Sequence, residues 1–386
     1  MQEIYLDNSA TTPVLPAVAA AMQEILVENY GNPSSLHHKG MLAERVLKDA
    51  RRLLAQACGA NKNEIYFTSG GTEANNVAIK GVARRLKRRG MHLVTSKIEH
   101  PSVLYAYRAL EAEGFRVTYL DVNKDGLLHA NDVAAAVCED TILVSVMHIN
   151  NEVGSILPVA EIGEHIKEKN PQTLFHVDAV QSFAKIPIHV TQWQADLLTI
   201  SAHKIHGPKG CGALYRRQGI PLEPLCHGGD QEGGVRPGTE NVAGIAGFAH
   251  AARIALQQQE NNLAYIQKLK DKCMSGLQAR IPDVVQNGPQ AGAAHILNVC
   301  IPGIKGEVLV HALEEEGIYL STGSACHSQR ADPSHVLQAM GRTAAEIEAS
   351  LRISFSALIT VDELTFAMDK MSEAVQTLRL MTRRRL

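Results

Sequence analysis

The sequence predicts an α/β protein. A large part holds a mostly parallel sheet flanked by helices, and a smaller α+β part follows. Two observations carry this. Short β-like runs alternate with helical patterns from residue 64 to about residue 200, and the character of the chain shifts after residue 250. Strands that alternate with helices point to a parallel sheet, because parallel neighbours need a long crossover connection.

The elements follow in order. "EIYFTS" (64–69) is a short strand and "TEANNVAIKGVARRLKRRG" (72–90) a helix. "HLVTS" (92–96) is a strand and "PSVLYAYRALEAEG" (101–114) a helix. "RVTYLDV", "TILVSVMHI", "LFHVDAV" and "ADLLTI" are further β-like runs, with the helix "VAEIGEHIKEKN" before the third of them. Residues 246–281 read as one long or broken helix. "AHILNVCIPG", "GEVLVHALEEEGI" and a terminal helix, "VDELTFAMDKMSEAVQTLRLM", complete the smaller part. No internal repeat or Pro/Ser-rich linker interrupts the chain.

The bulk numbers exclude several classes. With 386 residues the chain has material for roughly two or three domains. Its 45% hydrophobic and 20% charged residues are ordinary for a globular protein. The net charge of −2 creates no field that favours nucleic acid or an anionic membrane. The start, "MQEIYLDNSATTP", has no basic region and no long apolar region, so no secretory leader is expected. No apolar run reaches spanning length. The expectation is a cytoplasmic protein with no membrane or direct nucleic-acid partner. The seven cysteines contain no C-x-x-C pair, so neither a disulfide framework nor a structural metal site is expected. Six of them read as packing residues.

Chemistry gathers at the strand ends, where ligands bind in a parallel α/β sheet. After "EIYFT" comes "SGGTEANN". Its glycines, with Thr72, lead into a helix start that suits a phosphate or forms an ordinary N-cap. His100 follows the second strand and can stack on a flat ring or cap a helix. Asn150, Asn151 and Glu152 form a polar cluster or a turn. Asp178, behind an apolar run, wants a cation; a pyridinium nitrogen or a salt bridge would serve. After "ADLLTI" comes "SAHKIHGPKG" (201–210), where Lys204 and Lys209 compete as the reactive amine. Cys326 lies in "STGSACHSQRADPSH", a polar setting that suits an accessible thiol. Arg352 stands in the apolar run "LRISFS" and suits a carboxylate, either a substrate's or a neighbour's.

These stretches, with "YLDNSATTP", "YGNPSSLH", "EHPSV", "NNEVG", "HVDAVQ", "RPGTEN" and "GSACHS", give the chain a close resemblance to NifS/IscS-type cysteine desulfurases along nearly its whole length. Those are class-V aminotransferase relatives with the fold type I architecture of pyridoxal-phosphate enzymes. The resemblance implies pyridoxal 5′-phosphate as cofactor, no metal, and L-cysteine as substrate. It picks Lys204 as the Schiff-base lysine and His100 as the ring stacker. It sets Asp178 at the ring nitrogen and Gln181 and Asn151 at the ring substituents. Gly71, Thr72, Ser201 and His203 hold the phosphate. Thr239 reaches the phosphate of a neighbouring subunit, which implies a homodimer. Arg352 binds the substrate carboxylate. Cys326, with Lys204 and His100 the catalytic set, accepts the sulfur as a persulfide, on a loop of the mobile kind, and passes it to an acceptor protein. Alanine leaves.

The implied division is a large cofactor-binding domain, residues 15–257, and a small one, residues 1–14 with 258–386, that carries the cysteine loop. Gly233 and Pro237 stand where housekeeping members often have arginine and serine. The chain reads "RLMTRRRL" at its end, so the segment with which those members hold their iron–sulfur scaffold is expected to be missing. Iron–sulfur assembly and other thiolation routes both stay open. A selenocysteine lyase or an aminotransferase on the same fold are the alternatives.

Overall fold

The computed structural model describes residues 3–323 and 333–383. The strand Ile4–Tyr5 (β1) leads to the helices Pro16–Val27 (α1) and His38–Cys58 (α2). An alternating stretch follows: Ile65–Thr68 (β2), Gly71–Leu86 (α3), His92–Ser96 (β3), Pro101–Ala112 (α4), Arg116–Leu120 (β4) and Ala130–Ala136 (α5). It continues through Thr141–Met147 (β5), Val159–Lys169 (α6), Leu174–Asp178 (β6), Leu197–Ser201 (β7) and Gly212–Arg216 (β8).

These seven strands form one sheet in the order β2-β8-β7-β6-β5-β3-β4. The pairs from β4 through β7 are parallel, and β8 runs antiparallel to both β7 and β2. The expected mostly parallel sheet is therefore present. Every residue of β5, β6 and β7 is buried, as befits strands covered by helices on both faces. At the edge, β4 is more exposed. The buried Asp196 ties α6 to this sheet: it lies 2.6 Å from Lys167 Nζ and accepts from the Phe175 amide at 2.8 Å.

Past residue 241 the chain forms Val242–Gln257 (α7) and Gln259–Arg280 (α8), so the expected long helix is broken at Gln258. Then come Val285–Asn287 (β9), Ile296–Cys300 (β10), Gly306–Glu314 (α9) and Ile318–Tyr319 (β11). His335–Ala339 (α10), Ala344–Glu348 (α11), Ser350–Ser354 (β12) and Val361–Arg383 (α12) close the chain. A small antiparallel sheet runs β12-β10-β9, and β1 pairs with β11. Leu297 and Leu351 of this sheet pack with Leu277, Leu309 and Met368 of the helices, and Ile4 and Leu6 join the same core. Val336, Leu337, Met340 and Ile347 instead pack with the core of the large sheet.

Candidate active site

The carboxyl ends of β2, β3, β5, β6 and β7 open into one cavity of about 540 Å³. Residues 69–72 line it from behind β2, His100 from behind β3, and Met147 and Asn151 from β5. Asp178 and Gln181 come from β6, and Lys204 from β7. This is where a parallel sheet binds ligands. Ser9, Ala10, Gly323 and Arg352 close the other side.

Lys204 ends a short 3-10 turn, Ala202–Lys204, that follows β7 directly. Its Nζ is half-buried and donates to the Ser9 and Ala10 carbonyls, the latter at 2.7 Å. Lys209 is exposed and donates to the Thr12 carbonyl at 3.3 Å. Both lysines line the cavity. The half-buried one, among the other polar groups, is the better placed amine.

Asp178 is 5% exposed. Asn75 Nδ2 donates to it at 2.8 Å and the Val180 amide at 3.0 Å. Asn75 also donates to Ser102 Oγ at 2.8 Å, so α3 and α4 jointly fix the carboxylate. Burial pushes its pKa up; the two hydrogen bonds and the charge of Lys204 oppose that. His100 is the N-cap of α4, and its Nδ1 accepts from the Ser102 amide at 3.1 Å. Pro101 supplies the first helical position, where its missing N–H costs nothing. Burial, then the charges of Lys204 and His335, lower the pKa of His100 to about 4. The ring is neutral at pH 7, and with Nδ1 accepting, Nε2 carries its proton.

At the other end of the cavity, Gly70 has φ +152°, a conformation open to glycine, and Gly71 starts α3. A Cβ on Gly71 would lie 2.8 Å from Val180 Cγ2. The first turn of α3, whose leading amides have no intrahelical acceptor, lines this end through Gly71, Thr72 and Glu73. His203, whose pKa burial and Lys204 push down to about 3, meets Thr11 Oγ1 at 3.2 Å. Ser201 does not line the cavity directly; its Oγ is buried with no hydrogen-bond partner among the described residues.

The family model described as Aminotransferase class-V matches residues 4–366. A cysteine desulfurase IscS of Methanosarcina thermophila is 46% identical over 98% of this chain and 93% of its own length. A solved NifS-like protein is 38% identical with a TM-score of 0.92, covering 97% of this chain and 100% of that one. Another, titled SspA in complex with cysteine, is 35% identical with a TM-score of 0.82, covering 92% and 99%.

The chain belongs to the class-V aminotransferases, among their cysteine desulfurases.

The cofactor of these desulfurases is pyridoxal 5′-phosphate, and the residues present fit it. Asp178 is a buried carboxylate whose burial a cation would offset, as a protonated ring nitrogen can. The orphaned Ser201 Oγ and the helix start, kept open by Gly71, suit a phosphate. Of the residues expected from the sequence, Gly71, Thr72, His100, Asn151, Asp178, Gln181, His203, Lys204 and Arg352 all line this desulfurase cavity. Gln181 Nε2 is held by the Ser9 carbonyl at 3.0 Å.

Arg352 is buried. It lies 2.7 Å from Asp7 and donates to the Asn151 carbonyl at 3.1 Å. The ion pair with a neighbour is thus present, and Arg352 also lines the cavity. Thr239 is exposed and does not line the cavity. Cys326, expected as the sulfur acceptor, lies outside the described residues. One expectation is corrected: Cys138 and Cys226 are exposed, so they are not packing residues, whereas Cys58, Cys211, Cys273 and Cys300 are buried. Sequence reasoning missed Asn75 and Ser102, which lie in the quoted "TEANN" and "EHPSV", and the carbonyls of Ser9 and Ala10. A backbone carbonyl leaves no mark in residue identity. No helix among the described residues is long and apolar enough to cross a membrane.

Proposed function

We propose that this desulfurase removes sulfur from L-cysteine in the cavity below Lys204, with Cys326 as the acceptor. The single observation that carries the site is the convergence of Lys204, Asp178 and His100 on one cavity at successive strand ends. Bound pyridoxal phosphate supplies an electron sink for the pair released at the substrate Cα. Lys204 takes the proton from that Cα and returns it, as a general base and acid. Asp178, fixed by Asn75 and Val180, balances charge at the ring nitrogen. His100 would lie on the ring as a neutral imidazole. Gln181 and Asn151 would meet its substituents. Gly71, Thr72, Ser201 and His203 would hold the phosphate, with Thr239 reaching it from the neighbouring subunit of a homodimer. Arg352 would take the substrate carboxylate, with Asp7 as its partner.

The thiolate of Cys326 attacks the substrate sulfur. An S–S bond forms as the substrate C–S bond breaks; the electron pair goes to carbon, which takes a proton and leaves as alanine. The persulfide then passes to an acceptor protein in iron–sulfur assembly or another thiolation route. A cytoplasmic setting belongs to this reading: the described cysteines are unpaired, as a reducing compartment keeps them. So does the division into residues 15–257 and residues 1–14 with 258–386, which the separate core around Leu297 and Leu351 supports.

The test compares two lysines. Wild-type enzyme should show the visible absorbance of bound cofactor and convert L-cysteine to alanine. Lys204→Ala should lose both, and Lys209→Ala should keep both. Loss of the band in Lys209→Ala alone would overturn the assignment.

A further inference from the structure

We propose that Ser354 is a positioning residue for Lys204: its hydroxyl fixes the turn at residues 7–10, whose carbonyls orient the lysine amine for its work on the substrate Cα proton. This rests on the reading of Lys204 as general base and acid.

Ser354 ends β12 and is fully buried. Its amide, carbonyl and hydroxyl all bond residues 6–9. The amide donates to the Leu6 carbonyl at 2.7 Å. The carbonyl accepts from the Asn8 amide at 3.4 Å and from Asn8 Nδ2 at 2.8 Å. The hydroxyl donates to the Leu6 carbonyl at 3.3 Å and accepts from the Ser9 amide at 2.8 Å. Asn8 Nδ2 also donates to the Tyr5 carbonyl at 3.1 Å. Beyond Ser9 the chain turns, and the Ala10 amide donates back to the Asp7 carbonyl at 3.0 Å. The planar peptide that carries this amide carries the Ser9 carbonyl on its opposite edge. That carbonyl accepts from Lys204 Nζ and from Gln181 Nε2, and the Ala10 carbonyl accepts from Lys204 Nζ at 2.7 Å.

Lys204 takes a proton only as a neutral amine, with two N–H groups and one lone pair. The two carbonyls engage the N–H groups from one side and turn the lone pair away from residues 9 and 10. Once the proton is taken, the ammonium has three N–H groups and accepts nothing. Two of them keep the carbonyls, and the third carries the proton to be returned. The amine thus gives the proton back from the place where it took it. An error of ~1 Å in such a placement can cost ~100-fold in rate. Ser354→Ala removes the hydroxyl alone. The backbone bonds to Leu6 and Asn8 stay, so the strand pairing persists while the Ser9 amide loses its acceptor. Arg352, two residues earlier on β12, has separate supports in Asp7 and the Asn151 carbonyl. Asp178 has its own in Asn75 and Val180. Loss of the hydroxyl should therefore spare substrate and cofactor binding and impair the Cα proton step.

The experiment uses the full-length enzyme. It measures the melting temperature of the cofactor-free protein, the absorbance of bound cofactor, and KM for L-cysteine. It also follows exchange of the Cα proton of L-alanine in deuterated water, which isolates the proton step because no sulfur leaves. Ser354→Ala should fold and keep the absorbance within about twofold of wild type, while exchange per loaded site falls ~10-fold or more. KM should change little. Ser354→Thr, which keeps the hydroxyl, should recover most of the rate. Undiminished exchange per loaded site in Ser354→Ala would overturn the proposal. So would exchange that falls only in proportion to bound cofactor, the mark of a purely structural role, or a rise in KM alone, which would trace the effect to Arg352. If Ser354→Ala does not fold, Asn8→Ala decides alone, since it loosens the same segment by removing two side-chain bonds; unchanged exchange there would overturn the proposal. Failure of the Lys204 reading is told apart by Lys204→Ala, which would then retain exchange.

Discussion

Asp178 and Glu99 are two buried carboxyls with opposite tasks. Asp178 accepts two hydrogen bonds and faces the cavity. Asp178→Asn should keep the volume and remove the buried charge while losing one of the two hydrogen bonds, so the cofactor-free protein should still fold, with a melting temperature close to that of wild type. The same variant, loaded with cofactor, should lose exchange of the substrate Cα proton by ~100-fold or more, in the range typical of a lost catalytic group. Unaltered exchange would contradict its role at the ring nitrogen. Glu99 is fully buried; its Oε1 accepts from Ser96 Oγ at 2.5 Å and from the Met147 amide at 3.0 Å, while Oε2 has no partner among the described residues. Burial raises its pKa from 4.5 to about 8. The folded value lies above the unfolded one, so its contribution to stability is fully present below pH 4.5 and is lost as pH rises through about 8. The loss runs at ~1.4 kcal/mol per pH unit inside that window. Glu99→Gln does not titrate. The difference in melting temperature between Glu99→Gln and wild type should therefore grow in favour of the variant from pH 5 to pH 8. A difference that stays flat with pH would show that Glu99 is ionised in the fold.

At the scale of elements, the helix start at Gly70 and Gly71 makes the sharpest test. Gly71→Ala would drive a methyl group to 2.8 Å from Val180 Cγ2, inside the proposed phosphate cradle. The variant should fold and bind pyridoxal phosphate ~10-fold or more weakly in a titration of the cofactor-free protein; Val180→Ala should restore part of the affinity. Equal affinity in Gly71→Ala and wild type would remove this turn from the site. What the sequence revealed here follows from physics. The strands β5 to β7 are buried throughout and largely apolar because helices cover both faces, so they announce themselves as runs. The polar residues that end those runs announce the cavity. β8 was not legible: "GALYR" is short, opens on glycine, and enters the sheet antiparallel between β7, the strand before it, and β2, far off in sequence. The grip of Asn75 on Asp178 spans α3 and β6, and no local pattern records it. Nor did the sequence reveal that Asp7 pairs with Arg352, since that contact joins the two ends of the chain.

For the whole molecule, the large sheet packs two big apolar clusters and the smaller part has a core of its own, into which β1 is sewn through Ile4 and Leu6. Leu297→Ala in that smaller core should cost ~2–5 kcal/mol of stability, read from chemical denaturation, because the space left behind collapses only partly. The loop with Thr239 is fastened to the large part by Arg51, whose guanidinium meets both oxygens of the buried Glu232 at 2.7 Å. Thr239 thus stands exposed on a firmly held loop. The homodimer reading expects sedimentation of a dimer at assay concentrations and weaker cofactor binding in Thr239→Ala; a fully active monomer would contradict it. The central claim is that sulfur leaves cysteine onto Cys326. The most direct measurement is peptide mass spectrometry of the enzyme after one turnover with L-cysteine, without reductant. The account predicts one extra sulfur on the peptide that holds Cys326, and no alanine release from Cys326→Ser. Extra sulfur on an exposed thiol such as Cys138 or Cys226 instead, with Cys326→Ser still producing alanine, would contradict it.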